Sequence, residues 1–230
     1  GPYTEFAGTG KEIGWPLMRD QGNSAYMRDT GDPKTAEGGQ IEWGYYEETN
    51  PRLCHPRDIL EKHESRLSPS QRDLDMEQIL APLERAMELT PILGELGYNE
   101  SHSFNGLLQV TTDGGPSMGE SQKVRGLWYA VAIWVKDGPG MGKLIADWMT
   151  DGRTEIDHHA VDYARFYAHQ TKEQFIHDRC TETAMKVYNP AVHPREPFSK
   201  GRNIRRSPFY EREKELGGYF MELGGWERAH

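Results

Sequence analysis

Over the first fifty residues the hydrophobic positions form short clusters separated by turn chemistry. Leu17-Met18 and Tyr26-Met27 are flanked by Gly22-Asn23 and by Thr30-Gly31-Asp32-Pro33, which predicts short strands joined by tight turns. Ile41 to Tyr46 is a third candidate strand, and Asn50 to Ser70 turns to Pro, Arg, His and Ser, the composition of an exposed connection. From Asp73 to Leu96 the period changes. Met76, Ile79, Leu80, Leu83 and Met87 fall on one helical face. Pro82 and Pro91 each remove a backbone donor from that helix, so a kink or break is expected at Pro82.

Phe104 to Thr111 and Leu127 to Val135 predict the strongest strands, the second almost continuously apolar, as a strand buried on both faces would be. Lys136-Asp137-Gly138-Pro139-Gly140 leads from it into a helix whose stripe is Met141, Leu144, Ile145, Trp148 and Met149, with Gly152 as its stop. Thr171 to Asn189 predicts a further helix, opened by a Thr171/Gln174 capping box and ended by Asn189-Pro190. Arg195 to Lys214 holds seven basic residues against three acidic ones, which reads as a linker or a domain edge. Gly217 to His230 is rich in Gly and aromatic residues and reads as the opening of another domain. The fold class predicted is α+β with a mixed sheet.

Composition narrows the function. A net charge of −9 argues against nucleic acid as partner. No apolar run is long enough to span a bilayer and no signal peptide is visible, so a cytoplasmic or mitochondrial-matrix protein without membrane partners is expected. Cys54 and Cys180, far apart and without a CxxC partner, suit free thiols. A hydrophobic content of 36% and a mean hydropathy of −0.81 are low for a deep core, which fits long surface segments or an interior completed by other chain. Gly1-Pro2-Tyr3 is no natural start, so sequence is expected upstream.

Among candidate chemistries, Gly138-Pro139-Gly140-Met141-Gly142-Lys143 invites a phosphate-loop reading and fails it. A Walker loop needs Gly where Asp137 stands and Ser or Thr where Leu144 stands, and the Rossmann pattern would need Gly at Lys143. What survives is a Gly-rich turn that delivers a helix N-terminus with unpaired N–H groups and a partial positive charge. The same glycines also serve any tight strand-to-helix junction. Asp157-His158-His159 with Asp162 lacks a second ligand cluster, and adjacent histidines do not share a helix face, so no metal site is predicted. His55 and His63 are weaker candidates still.

In order along the chain, Thr111-Thr112-Asp113-Gly114-Gly115-Pro116-Ser117-Met118-Gly119, Val124-Arg125-Gly126-Leu127-Trp128-Tyr129, and Gly140-Met141-Gly142-Lys143 with Ala146-Asp147-Trp148 resemble the C-terminal part of the flavin domain of the dimethylglycine and sarcosine dehydrogenases, within the wider D-amino-acid oxidase-like group. The resemblance continues through Asp157, Asp162 and Tyr163-Ala164-Arg165-Phe166-Tyr167. Ser207-Pro208-Phe209-Tyr210-Glu211 and Gly224-Gly225-Trp226-Glu227 look like the opening of that family's folate-binding, aminomethyltransferase-like domain. Leu17-Met18-Arg19-Asp20, Ser24-Ala25-Tyr26-Met27-Arg28 and Gly44-Tyr45-Tyr46-Glu47 resemble strands of its substrate-side sheet. The implied division is residues 1–167 as the C-terminal portion of the FAD domain, 168–206 as a helical linker, and 207–230 as the start of the folate domain.

The resemblance implies oxidation of the N-methyl group of a small amino acid by FAD, with the one-carbon unit passed to tetrahydrofolate or water. It implies that the helix beginning near Gly140 points its N-terminus at the pyrimidine end of the isoalloxazine, where charge gathers on reduction. Asp137, Gly138, Pro139, Gly140 and Met141 would line the ring edge, with Asp113, Gly114, Gly115 and Pro116 alongside. Lys136 matches the lysine that monomeric sarcosine oxidases keep for the substrate carboxylate. Ile133 and Trp134 depart from the small and polar residues usual just before it.

The family's GxGxxG strand-turn-helix, the histidine that some members use for covalent flavin attachment and most of the folate domain are not in this sequence. An N-terminal dinucleotide-binding segment, a C-terminal folate domain and an electron-carrier protein are therefore the implied partners, and the chain alone is not expected to hold FAD tightly. The other reading is a non-catalytic subunit or interaction module derived from such an enzyme.

Overall fold

The computed structural model describes residues 2–3, 16–31, 39–47, 51–55, 70–99, 102–187 and 196–230. Asp32-Pro33, His63, most of the Asn50–Ser70 connection, Asn189-Pro190 and Arg195 lie outside them. The chain forms two compact units, one through Leu107 and the other running from Leu108 to Val187 and including the C-terminal segment to His230.

The first unit is built on an antiparallel sheet of order β1-β4-β3-β2, with β1 Pro2–Tyr3, β2 Met18–Asp20, β3 Ala25–Gly31 and β4 Gly39–Tyr45. A 3-10 turn over Gln21–Asn23 ends at Ser24 in the left-handed region (φ 46°), which reverses the chain between β2 and β3. The antiparallel register sets the faces of these strands. Met27 pairs with Met18 and Trp43 on one face, while Arg28 pairs with Glu42 on the other. The Met27 side packs on helix α1, Met76–Leu89, where Thr90 Oγ1 lies 3.6 Å from Met27 Sδ and Asn23 Nδ2 donates to the Pro82 carbonyl at 2.9 Å. Asp75 caps α1 by accepting from the Glu77 N–H at 3.1 Å.

The expected break at Pro82 is corrected. The helix runs unbroken through Pro82 and stops at Leu89, and the division falls at Thr90-Pro91, before the short helix α2, Ile92–Leu96. Thr90 takes the extended conformation forced on a residue before proline (φ −137°, ψ 78°), and Pro91 supplies the fixed φ that starts α2. The strand predicted over Phe104 to Thr111 shrinks to β6, Asn105–Gly106, paired with β5, Gln71–Arg72. Phe104 and Leu108 are exposed, and among the described residues this stretch pairs only through Asn105–Gly106.

The second unit opens with a two-stranded antiparallel ribbon, β7 Ser117–Glu120 with β8 Trp128–Val131. The predicted doubly buried strand over Leu127 to Val135 is also corrected. Among the described residues only four of its positions pair and β8 has a neighbour on one side alone, and Val135 in the following turn is 97% exposed. Helix α3, Gly138–Asp151, follows as predicted and closes on Gly152 (φ 70°), whose N–H reaches the Trp148 carbonyl at 3.0 Å.

After 3-10 turns at Tyr163–Arg165 and Ala168–Thr171 comes helix α4, Glu173–Val187. The Thr171/Gln174 capping box is not made. Thr171 Oγ1 turns back to the Ala168 carbonyl (2.9 Å) and Gln174 donates to Asp178 (2.9 Å), while Gln170 accepts from the Tyr167 N–H instead (2.9 Å). The unit ends with α5, Tyr210–Glu215, and a hairpin of β9 Phe220–Leu223 and β10 Trp226–Ala229. Gly224 and Gly225 (φ 58° and 81°) supply the two positive-φ positions a two-residue hairpin turn requires. Every ladder among the described residues is antiparallel; parallel pairing is confined to the isolated bridges Met118–Asp162 and Arg206–Glu227.

The core of this unit is unusual in its polarity. Met118, Leu144, Phe175, Cys180 and Tyr210 are buried together with Arg179, Glu182, Thr183 and Glu227. Arg179, 1% exposed, donates to Glu222 and to the Lys200 carbonyl (2.8 Å from Nη2), and its guanidinium lies over the Phe198 ring at 4.2 Å. Glu182 accepts from the backbone N–H groups of Ser199 (2.7 Å) and Lys200 (2.9 Å). Arg202 forms a two-pronged pair with Glu227 (2.8 and 2.6 Å). Burial of these charges is tolerated because each is answered by an opposite charge or a backbone dipole.

Candidate functional site

The strand-turn-helix in the second unit is fixed at each joint. The β8 exit is pinned by Gln109 Oε1, which accepts from Ala132 N (2.9 Å), with Ala132 itself at φ 54°. Asp137 N and Gly138 N both reach the Trp134 carbonyl (2.9 and 3.0 Å), and Met141 N makes the first helical bond to the Asp137 carbonyl (2.9 Å). Further along, Trp148 anchors α3 by packing edge-on against Trp128 (5.5 Å) and over His158 (4.0 Å).

The helix start is bare. Asp137 caps it with no side-chain hydrogen bond, Pro139 has no N–H, and the N–H of Gly140 has no protein partner among the described residues. Gly138, Gly140 and Gly142 have nothing within 4 Å of where a Cβ would stand, so a flat group can come down onto the backbone there. Lys136 lies beside this opening, 69% exposed, with its Nζ 2.7 Å from Asp137 Oδ1 and 5.4 Å from the Trp134 ring centre. Lys143, the residue a phosphate loop would need free, is paired with Asp147 one helical turn on (2.5 Å).

The second predicted group, Asp113 to Pro116, forms a turn held by Arg165, a residue with no predicted role. Arg165 grips Asp113 with two bonds (Nε–Oδ2 2.7 Å, Nη2–Oδ1 2.9 Å) and also donates to the carbonyls of Asp162 (3.1 Å) and Gly115 (3.3 Å). Asp113 Oδ1 further accepts from Gly115 N (3.1 Å) and the Thr111 hydroxyl (3.0 Å). Burial pushes the Asp113 carboxyl up, but Arg165 and these donors outweigh it and hold it below the usual aspartate range. Gly114, at φ 79°, lets the turn lie against α4, where an added Cβ would come within 3.2 Å of Thr183 Cγ2. Arg165 lies 52 residues from Asp113, too far for a local spacing to mark the pair; its one sequence signal is its place in Tyr163-Ala164-Arg165-Phe166-Tyr167.

Both predicted groups therefore exist as ordered turns of one unit, with no hydrogen bond or ion pair joining them among the described residues. The histidine segment is no ligand cluster. His159 pairs with the exposed Asp157, which raises its pKa, and His158 is taken up by Thr154 (2.8 Å) and Trp148. Among the described residues no group of three or more His, Cys, Asp or Glu is placed to hold a metal ion, and no helix is long and apolar enough to cross a membrane. Both cysteines are free, and burial first, then the nearby Asp113, pushes the Cys180 thiol up to about 11.

Residues 151–207 match the family model of the FAD dependent oxidoreductase central domain, a stretch that contains Arg165 and Arg179 but neither predicted turn. The chain is 30% identical over 217 residues to human mitochondrial sarcosine dehydrogenase, covering 93% of this chain and 22% of that protein. It is 29% identical over 220 residues to the formaldehyde-forming 4-methylaminobutanoate oxidase of Paenarthrobacter nicotinovorans (94% and 24%). At the same 29% over 220 residues it matches the mouse mitochondrial pyruvate dehydrogenase phosphatase regulatory subunit (93% and 23%). The chain thus spans less than a quarter of the length of each of these relatives. Over most of its own length it is a homologue of the sarcosine, dimethylglycine and methylaminobutanoate dehydrogenases and oxidases, and it includes a stretch of the FAD-dependent oxidoreductase central domain.

Proposed function

We propose that this chain is part of an FAD-dependent oxidative N-demethylase of small N-methyl amino acids that passes the one-carbon unit to tetrahydrofolate or water. The observation that supports it most is the bare, glycine-lined start of α3 with Lys136 beside it, in a chain homologous to enzymes of that chemistry. These residues fit one edge of a flavin. The open Cβ positions admit a flat ring, and the unspent Gly140 N–H with the helix dipole favours an electron-rich edge.

Asp137 to Met141 would line that edge, with Asp113 to Pro116, locked by Arg165, alongside. Bound FAD supplies the two-electron oxidation of the N-methyl carbon. Lys136 orients the substrate by its carboxylate, and to do so its ammonium exchanges Asp137 for the ligand. In domain terms, residues 1–167 belong to the FAD-dependent domain, 168–206 to a helical linker and 207–230 to the start of a folate-binding domain.

The test is to express the complete reading frame around this sequence and record its flavin absorbance and its formaldehyde release from sarcosine, dimethylglycine and 4-methylaminobutanoate. Lys136→Gln should raise KM for the accepted amine by about tenfold or more with a smaller change in kcat, as loss of a charged anchor does. An unchanged KM removes Lys136 from the binding role. A frame with no dinucleotide-binding segment and a protein without flavin would support the second reading, a non-catalytic subunit, which the match to a phosphatase regulatory subunit favours.

A further inference from the structure

The arginines of the C-terminal segment are not alike. Arg179 is answered by Glu222, Arg202 by Glu227 (2.6 Å) and Arg206 by Glu211 (3.1 Å). Arg205 has no carboxylate and no hydrogen-bond acceptor among the described residues, and the acids around it are spent. Glu222 also accepts from Gly225 N (2.5 Å), and Glu227 also accepts from Asn203 N (2.7 Å).

Arg205 is held by aromatic rings instead. Its guanidinium carbon lies 3.8 Å from the Tyr167 ring centre and 4.2 Å from that of Trp226, within cation–π range of both. The stack is fastened in turn. Trp226 Nε1 donates to the Tyr167 hydroxyl (3.3 Å), Gly225 at φ 81° leaves the space that Tyr167 fills, and the Arg205 carbonyl accepts from Glu227 N (2.9 Å). The rings pack against the guanidinium carbon, and none of the five N–H donors of the guanidinium has an acceptor among the described residues. A guanidinium held between two rings with its donor fork unspent suits a planar, two-oxygen anion.

We propose that the Tyr167–Arg205–Trp226 stack is a binding site for a small-molecule carboxylate, received edge-on by the Arg205 fork. It is independent of the turns at Asp113 and Asp137, and its occupancy does not require flavin chemistry. The site also has a built-in reporter. His169 stacks on Tyr167 (6.1 Å between centres), and its pKa is lowered by burial first and then by the charge of Arg205, with Glu222 acting the other way and Arg179 the same way. A carboxylate on Arg205 relieves part of that effect.

The experiment is an NMR titration of the 230-residue chain with acetate, and separately with inorganic phosphate, at constant ionic strength balanced by chloride. The Trp226 indole N–H, the Arg205 Nε–H and the His169 ring are followed. Saturable shifts with acetate, weaker ones with phosphate, and a His169 pKa that rises with acetate are expected. Arg205→Gln should abolish the saturable Trp226 shift. Arg205→Lys, which keeps the charge and loses the fork, should weaken it about tenfold and serves as the test if the glutamine variant does not fold. Shifts that grow linearly and equally with chloride, acetate and phosphate, or an Arg205→Lys chain that binds acetate as well as the parent, would overturn the site. Tighter saturation by phosphate would overturn its assignment to carboxylates.

Discussion

The two units solve the same problem, a polar sequence that must still fold, by opposite placements of charge. In the first, the sheet ladders and a thin apolar seam of Ala25, Met27 and Ala86 do the holding, and the ion pairs Arg28–Glu42 and Arg52–Asp75 lie at the surface. In the second, regular strands are few and the ion pairs move inside, with Arg179–Glu222 and Arg202–Glu227 built into the core. An exposed pair gains little over its hydrated ions, whereas a buried one, once made, cannot lose a partner without stranding a charge. The lesson is that counting ion pairs says nothing about stability here until burial is known.

The contrast is broken most sharply at Arg179. Arg179→Ala leaves Glu222 without its counter-charge and the Lys200 carbonyl without a donor, and should cost about 3–5 kcal/mol. Urea unfolding gives the size and hydrogen exchange gives the place. Protection should collapse in α4 and the β9–β10 hairpin while β3 and β4 amides keep theirs. Equal loss in β3 and β4 would mean that the two units unfold as one, and the comparison would fail.

Acid should divide the units next. Asp113, Glu182 and Glu227 are all held below their ordinary ranges: Asp113 and Glu182 despite burial, by Arg165 and by Lys186 with two backbone N–H groups, and Glu227 chiefly by Arg202. A lowered folded pKa means that their stabilisation is complete above the unfolded values, 3.8 for Asp and 4.5 for Glu, and is lost as pH falls through the lowered ones. The second unit should therefore lose exchange protection between about pH 5 and pH 3, with proton uptake on unfolding. The first unit has an exposed Asp75 held down by Arg52, a pair that salt screens, so its acid response should fade in high salt while that of the second persists.

This division also explains what could be read in advance. The strands of the first unit, and the turn and helix that stop at Gly152, were legible because apolar clusters, turn residues and a helix-ending glycine are local. Two prolines in one helical pattern were not separable by rule. Pro82 lies inside an intact helix with its carbonyl taken by Asn23, while Pro91 forces Thr90 out. The apolar run Leu127 to Val135 misled for a different reason: an apolar sequence states what would gain from cover, not that cover is present. The buried arginines were hidden most completely. Arg179 shares its helix stripe with Phe175 and Thr183, and its acid partner is 43 residues away, so composition alone reads it as surface. Of the candidate site, both turns were legible as glycine-rich turns, and the Arg165 clamp was not.

Gly201 tests the packing around the buried charge without touching a charge. It stands at φ 60°, and an added Cβ would fall 2.5 Å from Phe175 Cε2 and 3.3 Å from Arg179 Nη2. Gly201→Ala should cost about 1–3 kcal/mol in urea unfolding, from backbone strain and displacement of a buried ring. The effect should be non-additive with Arg179→Ala, because the two share the Phe175–Arg179 contact. Additivity would show that Phe175 holds its place without the guanidinium.

The smallest effect is expected at Arg28, and it is the one that gives the comparison its other limb. Arg28 makes a pair with Glu42 that in distance alone rivals the buried ones, at 2.7 and 2.9 Å from a single carboxylate oxygen. Both side chains are more than two-fifths exposed, so water competes for each donor and acceptor, and removing the pair returns both groups to hydration. Arg28→Ala should leave the urea midpoint unresolved from the parent at physiological salt, with at most a slight fall at low salt that vanishes as salt is added. A loss that survives high salt would show the pair to be desolvated in solution. The first unit would then depend on charge in the same way as the second, and burial rather than chemistry would no longer separate them.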